Sequence, residues 1–148
     1  MLGVFWNIRS VGKRGISTCI LDIIAENNLD FIGLMETMKK SYSQSFFRKI
    51  DPFNKFFWKW IPSVGKSGGI LCGIKYDTLE VQNVKLGDHL IVVYMWDKIK
   101  KCRWACVVVY GPAHEDLKAG FLVELSVVCQ GIDCPYIVGG DFNILRIF

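Results

Sequence analysis

Four short apolar segments of the chain each hand over to a polar or ionisable residue. Trp6-Asn7 closes the first, Glu36-Thr37 the second, Tyr110-Gly111-Pro112 a third, and Asp141-Phe142-Asn143 the last. If these segments are strands of one α/β domain, Asn7, Glu36, Tyr110, Asp141 and Asn143 converge outside strand ends. A rigid scaffold collects side chains from distant sequence there. Glutamate and aspartate are hard oxygen ligands, and Mg²⁺ or Mn²⁺ takes one or two carboxylates plus waters and phosphate oxygens. Taken singly, each residue has a plainer reading. An acidic residue after a strand commonly serves a solvated turn or a helix cap, and Gly-Asp-x-Asn suits a turn. The coincidence of five points to a site. Gly139-Gly140 fits it, because two residues without side chains let the backbone crowd at the strand end that delivers Asp141 and Asn143.

The elements that must position these residues can be read from apolar spacing. Leu2 to Ile8 is short, apolar and β-rich, which predicts a strand. Ser17 to Asn28 carries apolar residues at helical spacing, with Ser17 or Thr18 as the expected cap and Asn27-Asn28 as the stop. Leu29 to Met35 is the next strand, giving a β-α-β opening with a parallel pair. Tyr42 to Ile50 reads as a short helix. Strands then follow in close succession over Lys55–Ile61, Gly69–Tyr76, Leu79–Leu86, His89–Trp96 and Cys102–Tyr110, an antiparallel middle. Glu115 to Cys129 is a second long helix with Leu117, Phe121, Leu122, Leu125 and Val128 on one stripe, and Tyr136 to Gly140 is the last strand. The sum is a layered α/β domain with a mixed sheet, and nothing marks a boundary within 1–148.

Composition narrows the classes. At 148 residues and 51% hydrophobic, the chain fits one domain with a full core and is not disordered. A mean hydropathy of +0.29 is high for a soluble domain. Even so, the longest apolar runs are too short to span a bilayer, and no signal peptide is evident, so an intracellular protein without a membrane partner is expected. Six cysteines at 19, 72, 102, 106, 129 and 134 form no Cys-x-x-Cys pair, and His89 and His114 sit in unrelated contexts. Reduced thiols acting as small hydrophobes are the expectation. The net charge of +4 is mild. Basic clusters at Arg9, Lys13 and Arg14, at Lys39 and Lys40, and from Lys98 to Arg103 are either solvated faces or a phosphate-backbone footprint.

Two other patterns lead elsewhere. Gly65-Lys66-Ser67 lacks the leading glycine of a phosphate-binding loop, whose position falls on Trp60, and it enters a strand instead of a helix. The aromatic run Phe53, Phe56, Phe57, Trp58 and Trp60 alternates like a core-facing strand, with base stacking as the alternative.

The segments FWNIRSVGKRG, FIGLMETMKK, KSGGILCGIK, VVVYGPAHED and YIVGGDFN occur in the order and approximate spacing of the endonuclease/exonuclease/phosphatase family. They most resemble the endonuclease domains of plant LINE-type (non-LTR) retrotransposons. The resemblance implies a two-sheet α/β sandwich that hydrolyses phosphodiester or phosphomonoester bonds with Mg²⁺ or Mn²⁺. By that resemblance Glu36 binds the metal, with Asn7 beside it orienting phosphate or water. Tyr110 contacts the phosphate in the transition state, Asp141 orients or deprotonates the attacking water, and Asn143 fixes Asp141 and the phosphate. DNA is the implied substrate, with an RNA nuclease, a phosphatase or an inactive nucleic-acid-binding remnant as alternatives; a nuclear location suits DNA. The family pattern continues to a Ser-Asp-His-type motif that this sequence does not reach, and Arg9 stands where repair-enzyme relatives commonly have an acid. An N-terminal portion of the domain is therefore expected, impaired in activity, with an inner sheet face meeting water.

Overall fold

A computed structural model describes residues 1–65 and 68–144. The chain runs β1 (Gly3–Asn7), α1 (Ile16–Asn27), β2 (Phe31–Met35), α2 (Gln44–Ile50), β3 (Phe56–Ile61), β4 (Ile70–Lys75), β5 (Leu79–Leu86), β6 (Leu90–Asp97), β7 (Cys102–Tyr110), α3 (Glu115–Gln130) and β8 (Tyr136–Asp141). Every element read from the apolar spacing is present. They form two four-stranded mixed sheets, ordered β1-β2-β4-β3 and β5-β6-β7-β8.

Both sheets contain one parallel pair closed by a helical crossover. Through α1, β1 and β2 run parallel with Asn7 beside Met35, and through α3, β7 and β8 run parallel with Tyr110 beside Asp141. All other pairings are antiparallel. A crossover returns its strand in the same direction, so each parallel pair delivers two C-terminal ends side by side.

Alternation then sorts side chains into three apolar layers. In β6, Ile91, Val93 and Met95 point between the sheets and meet Ile70, Cys72 and Ile74 of β4. Leu90, Val92 and Tyr94 of the same strand point outward, with Val107 and Val109 of β7, against Phe121 of α3. The outer face of the first sheet is closed by Ile20 of α1 and by Phe46 and Ile50 of α2 against Ile32, Leu34 and Leu71. Strands covered on both faces read as near-continuous apolar runs, and this four-layer α/β/β/α sandwich accounts for the high hydropathy.

The fold corrects several expectations. The inner face of the first sheet does not meet water: Ile70, Ile74 and Met35 are at most 2% exposed, and Phe5 of the edge strand β1 is partly buried. Neither Ser17 nor Thr18 caps α1; the cap is Gly15 at φ 81, a left-handed position that suits glycine. Asn28 ends that helix in the left-handed conformation, as its type favours. The α3 stripe is rotated from the expected one. Phe121, Leu125 and Val128 face the sheet, but Leu117 and Leu122 are about half exposed.

Phe53 lies outside β3 and is 81% exposed, while Phe56 is buried and Trp58 and Trp60 pack on α2. Of the cysteines, Cys72 and Cys106 are buried core hydrophobes and Cys19 and Cys102 are exposed; all six are free thiols. Burial holds the Cys72 thiol up at about 12. Gly65-Lys66-Ser67 leads into β4, not a helix; Lys66 and Ser67 lie outside the described residues. Among the described residues no helix is long and apolar enough to cross a membrane.

Candidate active-site cleft

At the ends of the two parallel pairs lies an open cleft of about 710 Å³. Phe5, Asn7 and Met35 form one wall, and Asp141, Asn143 and Lys118 the other. Two elements far apart in sequence are tied across it: Asn7 Nδ2 donates to Asp141 Oδ2 at 2.7 Å. With its nitrogen so engaged, Asn7 Oδ1 is buried and has no hydrogen-bond donor. A buried acceptor without a partner is uncommon and asks for an explanation.

Asp141 is held from its other side as well. Its Oδ1 accepts the backbone N–H of Asn143 at 3.0 Å, a local turn after which Asn143 itself stands at φ 51. The Asn143 side chain is then free to donate from Nδ2 to the Gly111 carbonyl at 2.6 Å. Gly111 N–H in turn donates to the Asp141 carbonyl at 2.7 Å. The β8 tip and the loop after Tyr110 are therefore clamped together. Gly140 makes the approach possible: its φ is +138, and a Cβ there would lie 2.0 Å from the Val109 carbonyl oxygen.

Glu36 follows β2 in the left-handed region, at φ 56. That conformation is uncommon for a glutamate and persists where surroundings impose it. Here they do. The Glu36 carbonyl accepts from Ser10 N–H at 2.7 Å, and buried Thr37 donates from its hydroxyl to the Gly68 carbonyl at 3.1 Å. A side chain at Gly68 would begin 2.7 Å from Glu36 Cα, so Gly68 is the backing of this turn. Glu36 is half-buried and does not itself line the cleft.

Tyr110 connects the two acids electrostatically. Burial raises its phenol above the ordinary 10.0, and the Glu36 and Asp141 carboxylates raise it further. Both effects oppose a phenolate, so the hydroxyl is a proton donor at neutral pH.

Of the five residues singled out in the sequence, Asn7, Asp141 and Asn143 thus meet in the cleft, and Tyr110 feels both Asp141 and Glu36. Three contributors escaped sequence reasoning. Gly68 had its signal in the Ser-Gly-Gly segment, but Phe5 and Lys118 had none. The histidines stand elsewhere: His89 packs edge-on against Phe121 at 5.7 Å, and His114 is the exposed residue before α3.

Among the described residues no group of three His, Cys, Asp or Glu side chains is placed to cage a metal. The donors present are nevertheless of one kind. The unpartnered amide oxygen of Asn7 and the carboxylates of Glu36 and Asp141 are hard oxygens, and they fit a Mg²⁺-type ion that keeps waters and takes further oxygens from a substrate. This defines an oxygen-rich cleft at the strand ends of a two-sheet α/β sandwich.

The chain belongs to the endonuclease/exonuclease/phosphatase family, whose sequence profile matches residues 4–146. No curated protein matches it by sequence. Among solved structures it is similar to the human Nocturnin catalytic domain with bound sulfate anion, with TM-score 0.72 and 18% identity over 97% of this chain and 64% of that one. D. rerio TDP2 complexed with single strand DNA product has TM-score 0.71 and 7% identity over 97% of this chain and 61% of that one. ANGEL2, a 2',3'-cyclic phosphatase, in complex with adenosine-2',3'-vanadate has TM-score 0.65 and 18% identity over 84% of this chain and 42% of that one. The chain thus spans under two thirds of the length of each of these three.

Proposed function

We propose that the cleft hydrolyses phosphodiester bonds of DNA with the help of a divalent cation, as retrotransposon-type endonucleases do. The observation that carries the proposal is the buried, unpartnered Oδ1 of Asn7 beside Asp141. A hard cation completes that oxygen, and Glu36 supplies the carboxylate charge. When bound, Mg²⁺ or Mn²⁺ spreads negative charge from the non-bridging phosphate oxygens.

The chain's own residues do the rest. Asp141 is oriented by two hydrogen bonds, from Asn7 and from its own turn, and it aims and deprotonates a water at the phosphorus. Tyr110, kept protonated, donates to a phosphate oxygen. Asn143 clamps the Gly111 loop and so holds Tyr110 and Asp141 together. Among the described residues no histidine lines the cleft. Imidazole acid–base help, commonly worth about 10²–10⁴-fold, is not supplied there, and slow turnover is expected. A nuclear location suits such an activity on DNA.

Nicking of supercoiled plasmid tests this. Slow nicking that EDTA and Asp141→Ala each abolish is expected; nicking that persists in that variant would mark a contaminant and overturn the proposal.

A further inference from the structure

Lys118 occupies a position on α3 where an apolar residue would be expected. The helix buries Phe121, Leu125 and Val128 against the second sheet, and a step of three back from Phe121 along that face is Lys118. Its side chain is only 23% exposed. Leu117, one position away, is 53% exposed instead. Helix packing has therefore turned a charge inward and a leucine outward at the end nearest the cleft, and Lys118 lines that cleft with Asp141 and Asn143. A lysine so placed lays its stem on apolar surface and keeps its ammonium at the accessible edge, which here is the cleft. Its ion-pair partner is Glu115, at 3.0 Å on the preceding turn, whose side chain is 87% exposed. Among the described residues no other carboxylate lies within ion-pair distance of it.

A cleft that holds Asp141 with Glu36 nearby repels an incoming phosphate unless positive charge is also present. We propose that Lys118 is a substrate-binding residue that contacts a DNA phosphate neighbouring the one that reacts, exchanging Glu115 for that phosphate when DNA binds. The inference rests on the reading of the cleft as a DNA phosphodiester site. It concerns binding alone, so it stands or falls without turnover.

The exposed pair explains the energetics. Glu115 gives up little when released, because a solvent-exposed ion pair is weak and screened. A phosphate entering a partly dehydrated cleft gains more from the same ammonium.

Fluorescence anisotropy with a labelled 14-base-pair DNA duplex in EDTA provides the test. Lys118→Met keeps the apolar stem on the buried stripe, and circular dichroism checks its fold. It is expected to weaken binding about tenfold and to reduce the slope of log affinity against log salt by about 0.9, the loss of one phosphate contact. Lys118→Arg should bind as wild type. Glu115→Gln should bind about two- to threefold more tightly, the size of an exposed ion pair. Lys101→Met is the control, in the turn just before β7 and so roughly 30 Å from the cleft by strand length; it should change binding less than threefold. Equal losses at positions 118 and 101 would mean a general charge effect and would overturn the proposal. So would an unchanged salt slope in Lys118→Met, or no duplex binding by the wild type. Lys118-dependent binding without nicking would instead sink the proposed hydrolysis and leave this contact standing.

Discussion

Replacing Gly140 by alanine should damage the protein out of proportion to one methyl group. The added Cβ would lie 2.0 Å from the Val109 carbonyl oxygen and 2.9 Å from the Val109 nitrogen and carbonyl carbon. These are backbone atoms of the ladder partner in the parallel pair, so no rotamer change relieves the clash. Alanine must also adopt φ +138 or shift the strand. Holding a side chain in so sparse a region costs about 1–3 kcal/mol. Forcing an extra carbon into a packed site costs about 1–3 kcal/mol more. The sum of about 2–6 kcal/mol is a large share of the roughly 5–15 kcal/mol that stabilises a typical domain. With a urea slope of about 2 kcal/mol per M, the midpoint should fall by about 1–3 M. Gly120→Ala is the counterpart: that glycine sits within α3 with open space around its Cβ position, so alanine should raise stability by about 0.5–1 kcal/mol. Urea unfolding followed by circular dichroism measures both. A Gly140→Ala midpoint within 0.3 M of wild type, or the same sign for both variants, would refute the reasoning.

Two further outcomes follow from the clamp and the phenol. Asn143→Ala loses both the bond to the Gly111 carbonyl and a residue tolerant of φ 51, for about 2 kcal/mol, whereas Asn143→Gly keeps the backbone and loses only the bond, for about 1 kcal/mol. Equal urea midpoints for the two variants would contradict that split. The Tyr110 phenol is raised in the folded state, so its contribution to stability is complete below pH 10 and is lost as pH rises through the folded value. In an ultraviolet titration, with Tyr110→Phe identifying the signal, Glu36→Gln and Asp141→Asn should each lower that ionisation without returning it to 10, since burial is the larger cause. An unchanged curve in both would mean the phenol does not feel the acids.

The central strands were legible because they are buried on both faces, so runs such as Leu90–Met95 and Ala105–Val109 carry one signal over their whole length. The cleft was legible where a residue type and a strand end coincide, as at Asn7 and Asp141, whereas Glu36 does not line it. What stayed hidden depends on rotation. Residues at 117, 121, 122, 125 and 128 make an acceptable stripe on paper, but α3 is set by Phe121, Leu125 and Val128 packed on the second sheet. That setting turns Lys118 inward in place of Leu117. The α1 cap was missed for a similar reason: Gly15 takes a left-handed φ that no side-chain pattern announces. Glu36 at φ 56 is likewise a product of its backing by Gly68, a contact between segments 32 positions apart.

The central claim is that Glu36 and Asn7 together hold a divalent cation beside Asp141, and Mn²⁺ titration followed by the electron paramagnetic resonance signal of the free ion tests it most directly. One weak site per chain is predicted in the wild type, lost in Glu36→Gln and weakened in Asn7→Ala, with circular dichroism showing both variants folded. Mn²⁺ binding that is equal in the wild type and in Glu36→Gln, or absent from the folded wild type, would contradict the account.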